Sequence, residues 1–313
     1  MSDRKRYVVG IDGGGSKTHG LLVGMDGTIL GECTAGPANL MSLGIPKSAH
    51  LLYELIQQCC GKDPQCTPES LDSTVLGIAG AGRANDRAEL VNEILALGLK
   101  HKFPLKNVTV ETDARIALEA GLAGQMTGIV VIAGTGSIAL YRTPDRRLLR
   151  AGGWGNILGD EGSGFAIGRD ALNIVMRQYD GRSEKTLLTD KALDHFGASA
   201  VDDLITKIYH DRADVAAFVP RVFEAAVERD RFANAILVRN AAELVELARV
   251  LTMQERPKQK LPVVLMGGLV ETENVYSKLV REKIAHSLPQ VVIQKPKFPA
   301  AFGAAIIGLN AFR

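Results

Sequence analysis

VVGIDGGGSKT, residues 8–18, runs from a short apolar stretch into an aspartate, three glycines and then Ser16, Lys17 and Thr18. A buried strand that stops in such a turn presents bare backbone N–H groups and one carboxylate, Asp12, at its mouth. That combination suits phosphate and a divalent cation. Gly13, Gly14 and Gly15 lack the side chains that would bar a phosphate oxygen, and glycine also permits left-handed backbone that aims successive N–H groups inward. A second apolar run, residues 128–133, ends in Gly134-Thr135-Gly136-Ser137 before another strand-like segment at 138–141. Two phosphate-sized turns on one chain point to a nucleotide held between two halves.

Working outward from each turn, the two halves repeat. Strand 21–23, turn 25–28 and strand 29–33 match strand 138–141, turn 143–146 and strand 148–151. Residues 75–79 with Gly80-Ala81-Gly82 then match 263–266 with Gly267-Gly268. Residues 108–111 and a helix from about Asp113 match 291–293 and a helix from about Pro299. The pattern predicts a duplicated α/β unit. A length of 313 residues also favours two domains, placed at 1–122 and 123–299 with a hinge in the glycine-rich stretch 121–128. The second copy carries a long insertion, about 161–257, that reads as helical. Val222, Phe223, Ala226 and Val227, then Leu237, Ala241, Leu244, Leu247, Ala248 and Leu251, recur on one helix face as core positions.

Composition narrows the function. A net charge of +2 with no block of like charge excludes a nucleic-acid binder. No apolar run approaches the roughly 18 residues of a membrane helix, and the basic start MSDRKR lacks a signal-peptide core, so a cytoplasmic protein with no membrane partner is expected. Cys33, Cys59, Cys60 and Cys66 show no metal-ligand spacing and read as reduced thiols. The dinucleotide fingerprint fails, because a strand pattern rather than a helix follows the first turn. The P-loop pattern is also missing. Any phosphate site is therefore built from hairpin turns, with the third glycine turn, Met266-Gly267-Gly268-Leu269, free to lie against a nucleoside.

Phosphoryl transfer needs positioning, charge neutralisation and a group to take the acceptor's proton. Asp113, after an apolar strand and at the start of a helix, is the candidate base; its alternative role is a helix cap. Glu111 competes, since strand alternation would point both residues to one side. The stretch 152–164, GGWGNILGDEGSG, combines six glycines, the chain's one tryptophan and short polar groups. Such a mixture suits the face and hydroxyls of a sugar. Asn39, in Gly36-Pro37-Ala38-Asn39, is either a ligand or a helix or turn cap.

Together IDGGGSKT (11–18), TDA (112–114), IAGTGS (132–137), GGWGNILGDEGS (152–163), MGGL (266–269) and PAAFGAA (299–305) resemble the superfamily of sugar kinases, heat-shock chaperones and actin. Within it the chain is similar to N-acetylglucosamine kinases and their BadF/BadG-type relatives. The resemblance implies a duplicated actin-like (ribonuclease H-like) ATPase fold, two domains around a nucleotide and sugar cleft, with the C-terminal helix 300–313 packing back on the first domain. It implies ATP and Mg²⁺ as cofactors. Asp12 would be linked to the metal, and Gly13, Gly14, Gly15, Ser16, Lys17, Thr18, Gly134, Thr135, Gly136, Gly267 and Gly268 would hold the nucleotide. Asp113 would act as base toward the sugar's 6-hydroxyl, and Asn39, Asp113, Ser137, Gly153, Trp154, Asp160 and Ser163 would hold an amino sugar.

The expected activity is transfer of phosphate to N-acetylglucosamine by a homodimer. Glucosamine or another amino sugar, and a non-catalytic ATP-binding regulatory protein, are the alternatives. Relatives that activate dehydratases hold an iron–sulfur cluster on second-domain cysteines, which this sequence lacks. Repressor relatives place a helix-turn-helix ahead of the first turn, where only six residues precede Tyr7.

Overall fold

Tyr7–Gly13 forms β1, buried along nearly its whole length, as an unbroken apolar run requires of a central strand with both faces covered. Antiparallel β2 (Thr18–Gly24) and β3 (Ile29–Ala35) follow. Then come α1 (Leu40–Leu43), α2 (Ile45–Cys60), β4 (Leu71–Ile78), α3 (Ala84–Lys100), β5 (Val108–Thr112) and α4 (Asp113–Gly121). The sheet order is β3-β2-β1-β4-β5, with β4 parallel to β1 and β5 parallel to β4.

The second half repeats this plan with β6 (Gly128–Ala133), β7 (Ser137–Arg142) and β8 (Leu148–Gly152). Its helical insertion comprises α5 (Gly164–Tyr179), α6 (Leu188–Phe196), the short α7 (Asp203–Ile205), α8 (Val219–Val227) and α9 (Arg231–Glu255). The half closes with β9 (Leu261–Met266), α10 (Val275–Ser287) and β10 (Val291–Gln294), and α11 (Ala300–Asn310) ends the chain's regular structure. Read from β8, the second sheet runs β8-β7-β6-β9-β10, the same order and the same mixture of parallel and antiparallel neighbours as the first. The duplicated α/β fold read from the repeat is present. This computed structural model describes residues 5–255 and 260–312.

The chain divides into two compact units, Met1–Gln125 with Pro296–Arg313, and Met126–Lys295. In the first unit, β-strand alternation sends Val9, Ile11, Leu76 and Ile78 into a core with Leu52, Leu55 and Ile56 of α2 and Leu90 and Ile94 of α3. The opposite face is covered by α11 and α4: Val8 and Leu21 meet Ala301, Phe302 and Ala305, and Val75 meets Ile116 and Ala304. Glycine makes that approach possible. A Cβ at Gly303 would lie 1.9 Å from the Ile116 carbonyl, and one at Gly10 would lie 2.3 Å from the Ala301 carbonyl.

In the second unit, Ile129, Val131, Ala139, Tyr141, Val263 and Leu265 pack against α5, α8, α9 and α10. The expected helical core positions Val222, Ala226, Leu237, Ala241, Leu244, Ala248 and Leu251 are buried there. Val227 is a correction: as the last residue of α8 it is 72% exposed. The four cysteines are unbridged, Cys33 half-buried and the others buried. Among the described residues no helix is long and apolar enough to cross a membrane.

Candidate functional site

In the first unit the β1–β2 register pairs Gly13 with Thr18, leaving residues 14–17 as the turn, closed by the Gly14 N–H donating to the Lys17 carbonyl at 3.0 Å. Gly15, Ser16 and Lys17 are exposed. Thr18 is not: it is fully buried, and its hydroxyl donates to the Gly36 carbonyl at 2.6 Å, so its side chain fixes the strand after the turn. Backbone bonds tie the turn to its surroundings. The Ala38 N–H donates to Gly14 (3.2 Å), the Ala79 N–H to Gly13 (2.8 Å) and the Leu40 N–H to Ala79 (3.0 Å). These bonds bring Asn39 beside the turn, with its amide nitrogen 4.0 Å from the place of a Cβ on Gly15. Asn39 is also the N-cap of α1, accepting from the Met41 N–H at 2.9 Å, so the cap role foreseen as an alternative is realised.

The left-handed conformations expected at the phosphate turns do not occur. None of Gly13, Gly14, Gly15, Gly134 and Gly136 is among the glycines with positive φ. Their value is access. A Cβ at Gly134 or Gly268 would meet nothing within 4 Å, so bare backbone there faces open space.

The parallel register sets Gly13 level with Ile78, and Ile78 level with Thr112. With neighbouring strands about 4.8 Å apart, the ends of β1 and β5 lie roughly 10 Å from each other at the carboxyl edge of the sheet. Ligands of open α/β sheets bind at that edge. Asp12 alternates onto the face that α4 and α11 cover, as Gly10 does. Asp113 opens α4 but is not its cap. Thr112 is the cap, accepting from the Arg115 N–H at 3.2 Å, while the Asp113 carboxylate accepts from the Ala114 N–H at 2.9 Å. Glu111 remains within β5 opposite Gly77, so strand alternation does not relate it to Asp113, which already has helical backbone. The positive end of the α4 dipole favours a carboxylate at Asp113.

In the second unit Ala133 pairs with Ser137 across the shorter turn 134–136. The first turn of α5 is fastened to it, the Gly164 N–H donating to Gly134 at 2.8 Å and the Phe165 N–H to Thr135 at 3.1 Å. The third glycine turn joins the same edge: the Leu269 N–H donates to the Ala133 carbonyl at 3.1 Å, and Gly267 takes φ 95° where a Cβ would strike that carbonyl. The sugar-loop residues gather here too. The Gly153 N–H donates to the Ser137 carbonyl at 2.9 Å, and the Ser137 hydroxyl donates to the Glu161 carbonyl at 2.7 Å.

Asp160 sits with φ 61° and is 9% exposed. Burial pushes its carboxyl above the usual carboxylate value, opposed by hydrogen bonds from the backbone of Ser137 and Gly155. A Cβ on Gly136 would lie 2.8 Å from Asp160 Oδ2, so the second phosphate turn and this carboxylate are in contact. Ser163 is fully buried and caps α5 through the Ala166 N–H at 3.2 Å, so its hydroxyl is turned to the helix. Trp154 is 64% exposed, with the Arg150 guanidinium 4.0 Å from its ring centroid. The motif reading did not single out Arg150, because a lone arginine in a strand has no signature of its own.

Each unit thus brings one glycine hairpin together with at least one acidic side chain at the carboxyl edge of a mixed sheet. Among the described residues no cluster of three or more acidic, histidine or cysteine side chains could hold a metal by itself. The donor set still fits Mg²⁺, which commonly takes one or two carboxylates and fills its remaining positions with water and nucleotide phosphate oxygens. Asp12, near the carboxyl end of β1 beside the first turn, is a carboxylate that could serve as such a ligand.

The chain is similar to known sugar kinases along nearly its whole length. The chain is 36% identical over 309 residues to an N-acetylmuramic acid/N-acetylglucosamine kinase of Clostridium acetobutylicum, covering 96% of this chain and 98% of that protein. It is 31% identical over 322 residues to an N-acetyl-D-glucosamine kinase of Dictyostelium discoideum, covering 98% and 99%. A crystal structure from Chromobacterium violaceum, provisionally described as an N-acetylglucosamine kinase, superposes with a TM-score of 0.76 at 28% identity, covering 97% of this chain and 99% of that one. Residues 9–308 match the BadF/BadG/BcrA/BcrD ATPase family, and the chain belongs to that family.

Proposed function

We propose that this protein is an ATP-dependent kinase that phosphorylates the 6-hydroxyl of N-acetylglucosamine. The observation that carries the reading is the near-full-length similarity, above 30% identity, to kinases named for this sugar. The geometry adds chemistry to it. The hairpin turns at 14–17 and 134–136 offer bare backbone to the phosphates, Lys17 adds a cation at the first, and Gly267 and Gly268 border the nucleoside. Asp12 would hold Mg²⁺, which when bound neutralises phosphate charge. Asp113 accepts the proton of the sugar hydroxyl, the freed oxygen attacks the γ-phosphorus, and the bond from that phosphorus to the β–γ bridging oxygen breaks to release ADP.

Asn39, Gly153, Trp154 and Asp160 hold the sugar, Ser137 and Ser163 supporting the loop through the bonds described above. Asp160 suits a hydroxyl-rich ligand, because its carboxyl oxygens can accept hydrogen bonds from sugar hydroxyls. The exposed Trp154 ring offers an apolar face to an acetamide or a pyranose. A cytoplasmic homodimer is part of the same proposal, and light scattering on the purified chain tests its stoichiometry.

A second acceptor, N-acetylmuramic acid, is favoured by the Clostridium relative, which is named for both sugars. Mass spectrometry of products formed from ATP with N-acetylglucosamine, N-acetylmuramic acid and glucosamine tests all of these readings. A 6-phosphate of N-acetylglucosamine is the expected product. Phosphate on glucosamine alone would transfer the assignment to that sugar, and slow ATP hydrolysis with no phosphorylated sugar would identify a regulatory ATPase.

A further inference from the structure

Gly162 stands near the end of the loop between β8 and α5, two residues after Asp160, and side chains from distant parts of the second unit hold both of its backbone polar groups. Its N–H donates to Asn240 Oδ1 at 3.3 Å, and its carbonyl receives the Tyr276 hydroxyl at 2.7 Å. Asn240 lies in the middle of α9 and is 2% exposed; Tyr276 lies in the first turn of α10 and is fully buried. Gly162 has φ 78°, and a Cβ there would fall 2.6 Å from Leu244 Cβ and 2.7 Å from the Asn240 carbonyl. Only glycine lets the loop lie this close to α9.

The amide of Asn240 is fully used. Its Nδ2 donates to Asp170 Oδ2 at 2.9 Å and to the Ile236 carbonyl at 3.0 Å, while Arg239 reaches the same Asp170 oxygen at 2.6 Å. Asp170 belongs to α5, the helix that the loop runs into. Asn240 therefore fastens α9, α5 and the loop at one point. Burial keeps the Tyr276 phenol protonated and so able to donate. On the ligand side, Ser137 grips the Glu161 carbonyl and the Ser163 N–H donates to the Asp160 carbonyl at 3.2 Å. Residues 160–163 are thus fixed from the front by the second glycine turn and from behind by Asn240 and Tyr276.

We infer that Asn240 and Tyr276 are positioning residues that set the affinity for the sugar by holding the Gly162 peptide groups, and with them the Asp160 carboxylate, without touching the ligand. The inference rests on the assignment of Asp160 to the sugar. A buried polar group that loses its partner keeps its desolvation cost, so the loop would drift toward positions where Gly162 is solvated. Small displacements of a binding group are expensive. Because α10 follows the glycine turn at 267–268, Tyr276 also ties the element bearing that turn to the sugar loop.

Steady-state kinetics of the full chain test this with Tyr276→Phe, which removes only the hydroxyl and keeps the ring beside Phe223. The sugar KM should rise roughly five- to 150-fold, the range expected for an orphaned buried carbonyl, while the ATP KM stays within about twofold. Asn240→Ala should shift the same constant in the same direction. Thr186→Val is the control, because it breaks another buried hydrogen bond of this unit, 2.8 Å to Asp230, which caps the start of α9 ten residues before Asn240, and so perturbs the same helix without removing a partner of Gly162. It should lower the melting temperature but leave the sugar KM unchanged. A Tyr276→Phe enzyme with the wild-type sugar KM, or a Thr186→Val enzyme with an equal rise, overturns the inference. Asp160→Asn, measured alongside, separates the two levels: if it too leaves the sugar KM unmoved, the assignment of the loop falls and takes this inference with it.

Discussion

The two glycine hairpins occupy the same position in two sheets of the same strand order, yet they are backed differently. The first is a four-residue turn, 14–17, with exposed Ser16 and Lys17, stitched to Ala38 and Ala79 by backbone bonds alone. The second is a three-residue turn, 134–136, whose carbonyls accept from the start of α5 and whose Gly136 touches Asp160. The same topology has therefore produced one turn with a cation and one with a carboxylate. Duplication supplied two phosphate-sized mouths, and in the second copy an acidic group precedes the helical insertion, whose α9 braces the adjoining Gly162 from behind.

The largest effect expected from breaking this pair lies outside both turns. Asp113→Ala should lower kcat by about 10²- to 10⁴-fold, the usual worth of a positioned general base, with a smaller change in sugar KM. Near-normal turnover would remove Asp113 from the reaction. The turns themselves can then be separated. Gly136→Ala places a methyl 2.8 Å from the Asp160 carboxylate, and kcat/KM for the sugar should fall on the order of 10²-fold. Gly134→Ala, which meets nothing within 4 Å, should fold normally and act on the ATP KM. Equal effects of the two changes on the sugar would erase the proposed division of labour inside the second turn.

The units also differ in how their sheets are covered, and stability measurements sharpen that contrast. Gly303→Ala would drive a methyl to 1.9 Å from the Ile116 carbonyl. It should destabilise the first unit by about 1–3 kcal/mol, as overpacking does, read as a lower urea midpoint. Unchanged stability would mean that α11 is not fastened to α4 in solution. The smallest effect concerns pH. Burial raises the Asp160 carboxyl above its ordinary 3.8, so as pH rises the unfolded chain releases that proton before the folded one does. The stabilising contribution is complete below pH 3.8 and is lost as pH climbs through the raised value. Melting temperatures of wild type relative to Asp160→Asn should therefore decline with rising pH across this window; a flat difference argues against burial as the dominant influence.

Much of this was legible along the chain because strand and helix periodicities are local. The runs 8–12, 128–133 and 263–266 could hardly form anything but buried strands, and the repeated order of turns fixed the duplicated sheet. The glycines of the first turn and the helix after Thr112 were equally plain. Other features depend on residues far apart in sequence. Thr18 and Ser163 look like ligands within their motifs, but burial spends their hydroxyls on Gly36 and on α5. Thr112 rather than Asp113 caps α4, a choice set by one residue's backbone angles. Asn240 and Tyr276 gave no signal, since a single asparagine in an apolar-periodic helix and a tyrosine after a cap read as ordinary positions.

Glycine runs, apolar periodicity and short motifs act over a few neighbouring residues, and they suffice to read the duplicated order of elements along the chain, the two turns and the kinase family. Tertiary structure alone decided which polar groups remain to meet a ligand and which are consumed in holding the backbone. That outcome depends on burial and on hydrogen-bond partners 78 and 114 residues away, as at Gly162, and no local pattern encodes such distances.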